Sequence, residues 1–471
     1  MKLSRYVAVA VFKQNKVPLM LCYHLVNNKM MVLSASAASV LNHANFTALK
    51  LDDVYVLRNE TADCRMAADT YQLLIQDRFI VDDGFDEVKA VVEANQQFIT
   101  TDGTLAIVIQ VSGDCSCKCV YCGQGHSPVT LGMDKIDKIV ERIKLKLQKN
   151  FPRFKKLDIR WFGGEPLLNL PAIVELSKRL RIEAERYQAK YHSIIVTNGV
   201  ALTLDVVGKL YECAIDKIEV TLDGDERDHN LRRPTKLGGE SFAIVYHNLL
   251  EGVRRYGDKI DFTVRCNVDK GNSQAILKLI DRLCEDNVQD RINLYVAPLH
   301  SWGNRADLRG LTPKEFAEFE LEVLVKLQRL GFYNASGVLP RRKFVPCMAV
   351  GTENECIDPD GAVFHCTEVS LVPSYVKKGI NCYQVADIAD DKFEPKGIDF
   401  RSKYEEILAT KTPCLECQLL PVCAGACPKL WYEGLTPCPS VKLNLEQRLV
   451  LSYLFSNEGE KICAQIAGKA V

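Results

Sequence analysis

Between residues 104 and 299, apolar strands and amphipathic helices alternate six times, and few architectures accept that order. The strands read "TLAIVIQV", "KLDIRWFGG", "SIIVTNG", "KIEVTLDG", "IDFTVRCNV" and "INLYVAPL", with helices such as "MDKIDKIVERIKLKLQK" and "LPAIVELSKRLRIEAERYQ" between them. Strands this apolar are buried on both faces, and helical crossovers are what join parallel neighbours. The expectation is an α/β unit on a parallel sheet, open or barrel-like. Ahead of it, residues 5–12 and 17–34 read as strands with a hairpin turn at "NN" (27–28). Helices are expected from Ser34 onward and over "CRMAADTYQLLIQ" (64–76), and this β-then-α segment ends near residue 98. Behind the α/β unit a polar helical segment, 312–331, leads to a cysteine-rich end from about residue 341. No internal repeat or low-complexity tract is present.

Composition narrows the function classes. The 471 residues carry 60 Lys+Arg and 60 Asp+Glu, with 47% apolar and 25% charged residues, as in ordinary globular proteins. A formal charge of zero gives no support to a nucleic-acid or membrane-surface partner. No apolar run reaches the roughly 18 residues of a membrane span. "MKLSRYVAVAVFKQNK" reads as a strand rather than a secretion signal, because Lys13 interrupts a short apolar stretch and no small-residue cleavage site is present. A cytoplasmic location is expected.

Nineteen cysteines need a reason. In a reducing compartment, and in a chain this long, disulfides are not that reason. Cys22, Cys64, Cys213, Cys266, Cys284, Cys382 and Cys463 stand singly and read as small buried apolar residues. The others gather near residue 115, at 347–366 and at 414–438, and clustered thiolates mean zinc or iron–sulfur. In "CSCKCVYC" (115–122), Cys115, Cys119 and Cys122 form a C-x3-C-x2-C array in the loop after the first α/β strand, with Tyr121 before the last cysteine. Active sites of parallel sheets lie at the carboxyl ends of strands. Three thiolates leave one metal position open, whereas a zinc site would close with Cys117 as a fourth ligand.

This array resembles that of the radical S-adenosylmethionine (SAM) enzymes, in which three cysteines hold a [4Fe–4S] cluster and SAM chelates the fourth iron. The resemblance implies a partial (β/α)6 TIM-like barrel. It implies that Gly163, Gly164 and Glu165 of "WFGGEP" contact SAM's ammonium group, and it assigns SAM contacts to Tyr121, Asn198 of "TNG", and Thr221 and Asp223 of "VTLDG". "DGDERDHNLRR" is similar to an Asp-Gly-x4-His-Asp-x2-Arg pattern, with Asn230 in place of an aspartate. It puts Arg233 where some members hold SAM's carboxylate, a task that suits a guanidinium; a plain surface arginine is the other reading.

The C-terminal cysteines resemble the SPASM extension of that family: Cys347-x13-Gly361-x4-Cys366, then Cys414-x2-Cys417-x5-Cys423-x3-Cys427, then Cys438. By the family's interleaved order, Cys414, Cys417, Cys423 and Cys438 hold one auxiliary cluster, and Cys347, Cys366 and Cys427 another. The fourth position there is Cys356 or an open site. The implied cofactors are SAM and three [4Fe–4S] clusters. The implied organisation is an N-terminal winged-helix-like, peptide-recognition-like α+β domain (1–98), the radical SAM partial barrel (99–305), a helical linker (306–340) and the SPASM domain (341–471).

The chemistry the resemblance implies is reductive cleavage of SAM to a 5′-deoxyadenosyl radical, which abstracts a hydrogen from an unactivated C–H bond. The expected partners are a precursor peptide bearing a leader and an external one-electron reductant, flavodoxin or ferredoxin. Maturation of a ribosomal peptide by a thioether, C–C or C–O crosslink is favoured over anaerobic sulfatase maturation. Sulfatase-maturating enzymes carry an aspartate directly after a cluster cysteine, where Thr367 follows Cys366 here. They also lack about 100 residues ahead of the array. A non-catalytic iron–sulfur electron carrier is the alternative of another class, and it needs neither an open iron nor "GGEP". No catalytic base is assigned; His365, Glu368 and Tyr432 lie near cluster cysteines in sequence only.

Overall fold

The computed structural model describes residues 1–456 except 15–16, 43–44, 303, 333–336, 391–397 and 411–412. The chain divides into two compact units: residues 101–335 with 347–402, and residues 1–100 with 336–346 and 403–471. The cysteine-rich end is thus shared between both.

In the first of these units, six parallel strands lie side by side in sequence order: Thr104–Ser112, Lys156–Gly163, Lys190–Thr197, Lys217–Thr221, Asp261–Val268 and Ile292–Pro298. Amphipathic helices cover the outer face, and the core runs through side chains such as Ile107, Ile159 and Phe262, all without exposed surface. Trp161 is fully buried there and donates from Nε1 to Ser193 Oγ at 2.8 Å, so its one polar atom is satisfied. This is the expected α/β unit, with a partial, barrel-like parallel sheet. Two features of the unit exceed the sequence expectation. Glu355–Ile357 adds a seventh parallel strand beside Thr104–Ser112 and leads into the antiparallel strands Ala362–Phe364 and Ala386–Asp387. Buried Glu355 fixes this strand to the helix Met133–Lys149 through Arg142 (2.7 and 2.8 Å) and Lys146 (3.0 Å). A short helix, Glu226–Arg232, also forms inside "DGDERDHNLRR", its N-terminus capped by the Asp225 side chain accepting from Asp228 N at 3.2 Å.

In the other unit, Val7–Gln14, Val17–His24 and Lys29–Ser34 form an antiparallel sheet, and Asn28 (φ +60°) supplies the left-handed residue of the expected turn. Ser34 caps the helix Ala35–Leu41 by accepting from Ala37 N. Residues 47–67 depart from the expected order, and the helix expected over 64–76 is shorter. Thr47–Leu51, Val54–Arg58 and Asp63–Ala67 form a second three-stranded antiparallel sheet, so Cys64 lies in a strand and the helix begins only at Ala68. The reason is periodicity: over Asp63–Ala67, Cys64 and Met66 are buried and their neighbours exposed, the two-residue repeat of a strand. The helix Val441–Leu454 packs on the strand Val7–Gln14, with the Phe12 and Tyr453 rings 5.2 Å apart.

The single cysteines divide. Cys22, Cys64, Cys213 and Cys266 are buried as expected, Cys284 is half-buried, Cys382 is exposed, and Cys463 lies outside the described residues.

Candidate active site

At the carboxyl ends of the six strands, Cys115, Cys119 and Cys122 line one pocket with Tyr121. Gly163, Gly164, Asn198, Thr221 and Arg233 complete that side of it. Cys117, 1% exposed, is not among the lining residues; its backbone pairs with Thr235 instead. The array therefore presents three thiols to one space and withholds the fourth. Burial pushes Cys119 up to about 12, with Arg233 pulling the other way, and pushes Cys117 up to about 11. Thiols this buried stay neutral until a cation takes them, releasing protons. Asn198 Nδ2 lies 3.4 Å from Cys115 Sγ, and His126 Nε2 lies 3.8 Å from Cys122 Sγ.

The glycine pair has a reason the sequence did not disclose. A Cβ on Gly163 (φ +125°) would sit 2.6 Å from the Ser112 carbonyl oxygen, and one on Gly164 would overlap the Asp114 carbonyl. The backbone that comes close is that of the cysteine loop itself. Gly164 N donates to Ser112 O (3.0 Å) and Glu165 N to Asp114 O (2.8 Å), tying the strand end to the loop. The pairing register also shifts between Phe162 and Gly163, a bulge that re-aims the strand end.

Glu165 and Asp223 fall outside the pocket lining, and both are fully buried. The Glu165 carboxylate accepts from Thr197 Oγ1 (2.7 Å), Asn198 N (2.7 Å) and Leu167 N (3.0 Å), so it holds "TNG" in place from beneath. Asp223 accepts from Tyr121 OH (2.6 Å) and Asn267 N (2.8 Å). Tyr121 OH in turn accepts from Arg233 Nη1 (2.6 Å) and from Asn267 Nδ2 (3.0 Å). Both carboxylates orient residues of the pocket without lining it themselves. Asn267 and Arg265, on the fifth strand, line the pocket and were missed; their inward register on an interior strand was the available signal.

Arg233 is held from behind. His229 Nδ1 accepts from Asp223 N (3.3 Å), its Nε2 faces Ser241 Oγ (3.1 Å), and Ser241 Oγ donates to Arg233 O (2.5 Å). Burial first, then the Arg233 charge, push His229 down to about 3, so it is neutral and able to accept at Nδ1. The Arg233 Nε is buried with no partner while the residue faces the pocket. A ligand carboxylate is what such an orphaned guanidinium proton suits. On the far wall, Trp302 sits against Gly123 and crosses His300 edge-on at 4.6 Å. Glu368 also lines this pocket, beside Arg265. His365 is half-buried and does not line it, with a buried Nδ1 that has no hydrogen-bond partner, and Tyr432 belongs to the other unit.

In that other unit, Cys414, Cys417, Cys423 and Cys438 line a single cavity, floored by Leu419, Leu420 and Trp431. Burial, then Cys414, Cys417 and Cys438 around it, push Cys423 up to about 11. Four thiols on one cavity are a donor set for a thiolate-ligated centre. Cys347 and Cys366 lie in the barrel unit and Cys427 in the other. Cys356 is fully buried in the barrel unit, its thiol pushed up by burial and then by Cys366. Among the described residues, no three His, Cys, Asp or Glu side chains are grouped as a site for a single metal ion, and no helix is long and apolar enough to cross a membrane.

Three thiols open to one pocket on a partial parallel barrel define the class. Residues 109–300 match the Radical SAM superfamily, and the chain carries a radical SAM domain. The match implies SAM and a [4Fe–4S] cluster as cofactors and supports an enzyme. Across its length it is 24% identical, over 470 residues, to the radical SAM cyclopropyl synthase TigE of Paramaledivibacter caminithermalis, covering 90% of this chain and 89% of that protein. The solved structure of native anSMEcpe with bound AdoMet and Cp18Cys peptide superposes with a TM-score of 0.56 at 17% identity, covering 78% of this chain and all of that one. Native anSMEcpe with bound AdoMet and Kp18Cys peptide gives 0.54 at 16%, covering 77% and 99%. At these identities the two structures establish the fold.

Proposed function

We propose that this enzyme is a radical SAM peptide maturase that crosslinks residues of a precursor peptide, with two auxiliary iron–sulfur centres beside the SAM-binding one. The observation that carries the reading is the pocket in which three thiols, the unpartnered Arg233 Nε and the glycine strand end meet. When bound there, SAM on a reduced [4Fe–4S] cluster supplies the 5′-deoxyadenosyl radical that abstracts hydrogen. The chain's own residues do the rest. Cys115, Cys119 and Cys122 hold the cluster. Arg233, kept in place by Tyr121 and by the Ser241 contact to its carbonyl, takes SAM's carboxylate, and Asn198 and Thr221 face SAM's polar groups. Trp302 and His300 wall the pocket and restrict which C–H bonds can approach it. Cys414, Cys417, Cys423 and Cys438 hold one auxiliary centre, and the second is the one that the resemblance of the C-terminal cysteines implies.

The identity to TigE, whose name is cyclopropyl synthase, supports carbon–carbon bond formation among the crosslinks considered. The peptide-bound anSMEcpe structures share the fold and support an extended peptide as substrate class. Residues 1–98 are read as the element that grips the leader, through main-chain bonds at a sheet edge. The test is incubation of the reduced, reconstituted enzyme with SAM and a short peptide encoded beside its gene, followed by mass spectrometry. Loss of two hydrogen atoms per product, dependent on Cys119, is expected. Conversion of a cysteine with loss of sulfur would replace this reading with formylglycine formation.

A further inference from the structure

Resting on the peptide-maturase reading above, we propose that Arg265 and Glu368 seat the main chain of the substrate peptide, Arg265 donating to a backbone carbonyl and Glu368 accepting from a backbone N–H. Both residues line the pocket that holds the three thiols. The strand Asp261–Val268 sets Arg265 between two neighbours, opposite Thr221 on one side and Tyr295 on the other. Its Nε donates to Asn267 Oδ1 at 3.1 Å. Its Nη1 lies 4.0 Å from Glu219 Oε1, an oxygen that accepts from Tyr295 OH at 2.9 Å. Burial, then Glu219, push the Tyr295 pKa up, so the phenol stays a donor to Glu219. The guanidinium is thus anchored at Nε and braced from behind, and its side chain still keeps 36% of its surface open. A planar fork fixed in this way presents its remaining N–H groups to an oxygen arriving in the pocket. Glu368 reaches the same pocket from the segment after Cys366, with Oε1 accepting from Thr367 Oγ1 at 3.3 Å.

Charge selects the ligand. Among the described residues lining the pocket, the Asp, Glu, Lys and Arg side chains are Arg233, Arg265 and Glu368. Arg233 is the residue assigned to SAM's carboxylate. Burial works against the Arg265 charge, while Tyr295, Glu219 and then Glu368 favour it. Two carboxylates therefore already serve this one guanidinium. A substrate carboxylate would bring a third negative charge to them, and a substrate ammonium would meet Arg265 itself. A peptide unit brings a carbonyl for the donor and an N–H for the acceptor, with no charge to balance. Holding the main chain also leaves the side chain of the seated residue free to turn toward SAM.

The test uses reduced, reconstituted holoenzyme with SAM and the short peptide encoded beside its gene, and compares wild type with Arg265→Gln, Glu368→Ala and Glu368→Gln. Arg265→Gln and Glu368→Ala are each expected to raise the peptide KM, and the Kd of the fluorescein-labelled peptide, about tenfold, with the SAM Kd within about twofold of wild type. Both should release more 5′-deoxyadenosine per modified peptide, because a loosely seated target is missed. Glu368→Gln keeps an acceptor oxygen and is expected to hold the peptide within about threefold of wild type. Unchanged peptide KM and Kd in Arg265→Gln and Glu368→Ala overturn the seat. Glu368→Gln weakening the peptide as much as Glu368→Ala would make charge, not an amide contact, the determinant, and overturns it too. If the wild type binds the peptide and leaves it unmodified, the maturase reading fails while the peptide Kd values still decide the seat.

Discussion

Arg233 shows how much of this site is decided one residue at a time. Its sequence context allowed either a SAM ligand or a surface arginine. Its position speaks against a surface arginine: it is 7% exposed, with Nη1 on Tyr121, Nε unpartnered and the pocket beside it. Arg233→Lys keeps the charge and loses the fork. SAM affinity is expected to drop about tenfold or more, roughly 1.5 to 3 kcal/mol, read as Kd by calorimetry on the reconstituted protein. A Kd within twofold of wild type would return Arg233 to a structural role. Ligand-type residues were legible because spacing encodes them. The turn of Glu165 toward Thr197 and of Asp223 toward Tyr121 was not legible, because a motif gives a residue's neighbourhood but not the direction of its side chain.

At the scale of elements, the two glycines and the added strand matter most. Gly164→Ala places a methyl group against the Asp114 carbonyl, and the strand end must retreat from the cysteine loop. Iron bound at the three-cysteine site should fall well below wild type while the far-ultraviolet circular dichroism is kept. Full iron content would mean the loop yields instead. The strand Glu355–Ile357 depends on a buried carboxylate between Arg142 and Lys146. Burial alone would raise the Glu355 pKa, but the Arg142 hydrogen bonds and the Lys146 charge outweigh it and hold the value below the usual carboxylate range. A lowered folded pKa stabilises above the unfolded value of about 4.3 and loses that contribution as pH falls through the folded one. Amide exchange at residues 355–357 should therefore quicken below about pH 4.3 before the six-strand core opens, and Glu355→Ala should cost about 3 to 5 kcal/mol by removing the carboxylate from buried Arg142, while Lys146 keeps Glu353 at 3.0 Å. The six strands could be read from sequence because each is long, apolar and bounded by an amphipathic helix. The strands at 355–364 and 386–387 could not, since two or three residues carry no periodicity. The sheet at 47–67 was missed because its alternation is short and mixed with charge.

On the scale of the whole molecule, seven of the ten cysteines in the two patterns line two pockets. Cys115, Cys119 and Cys122 share one pocket, and Cys414, Cys417, Cys423 and Cys438 share another, the grouping that the family resemblance implies. Anaerobically reconstituted protein is expected to hold about twelve iron atoms per chain, and Cys417→Ala about four fewer with the SAM site intact. An unchanged iron count in that variant would remove the auxiliary centre from the account. The central claim is that three thiols leave a metal position for SAM. It is tested most directly by mixing reduced, reconstituted protein with SAM and quantifying 5′-deoxyadenosine by liquid chromatography against Cys119→Ala. The account predicts steady formation by the wild type and none by the variant; equal traces from both would contradict it.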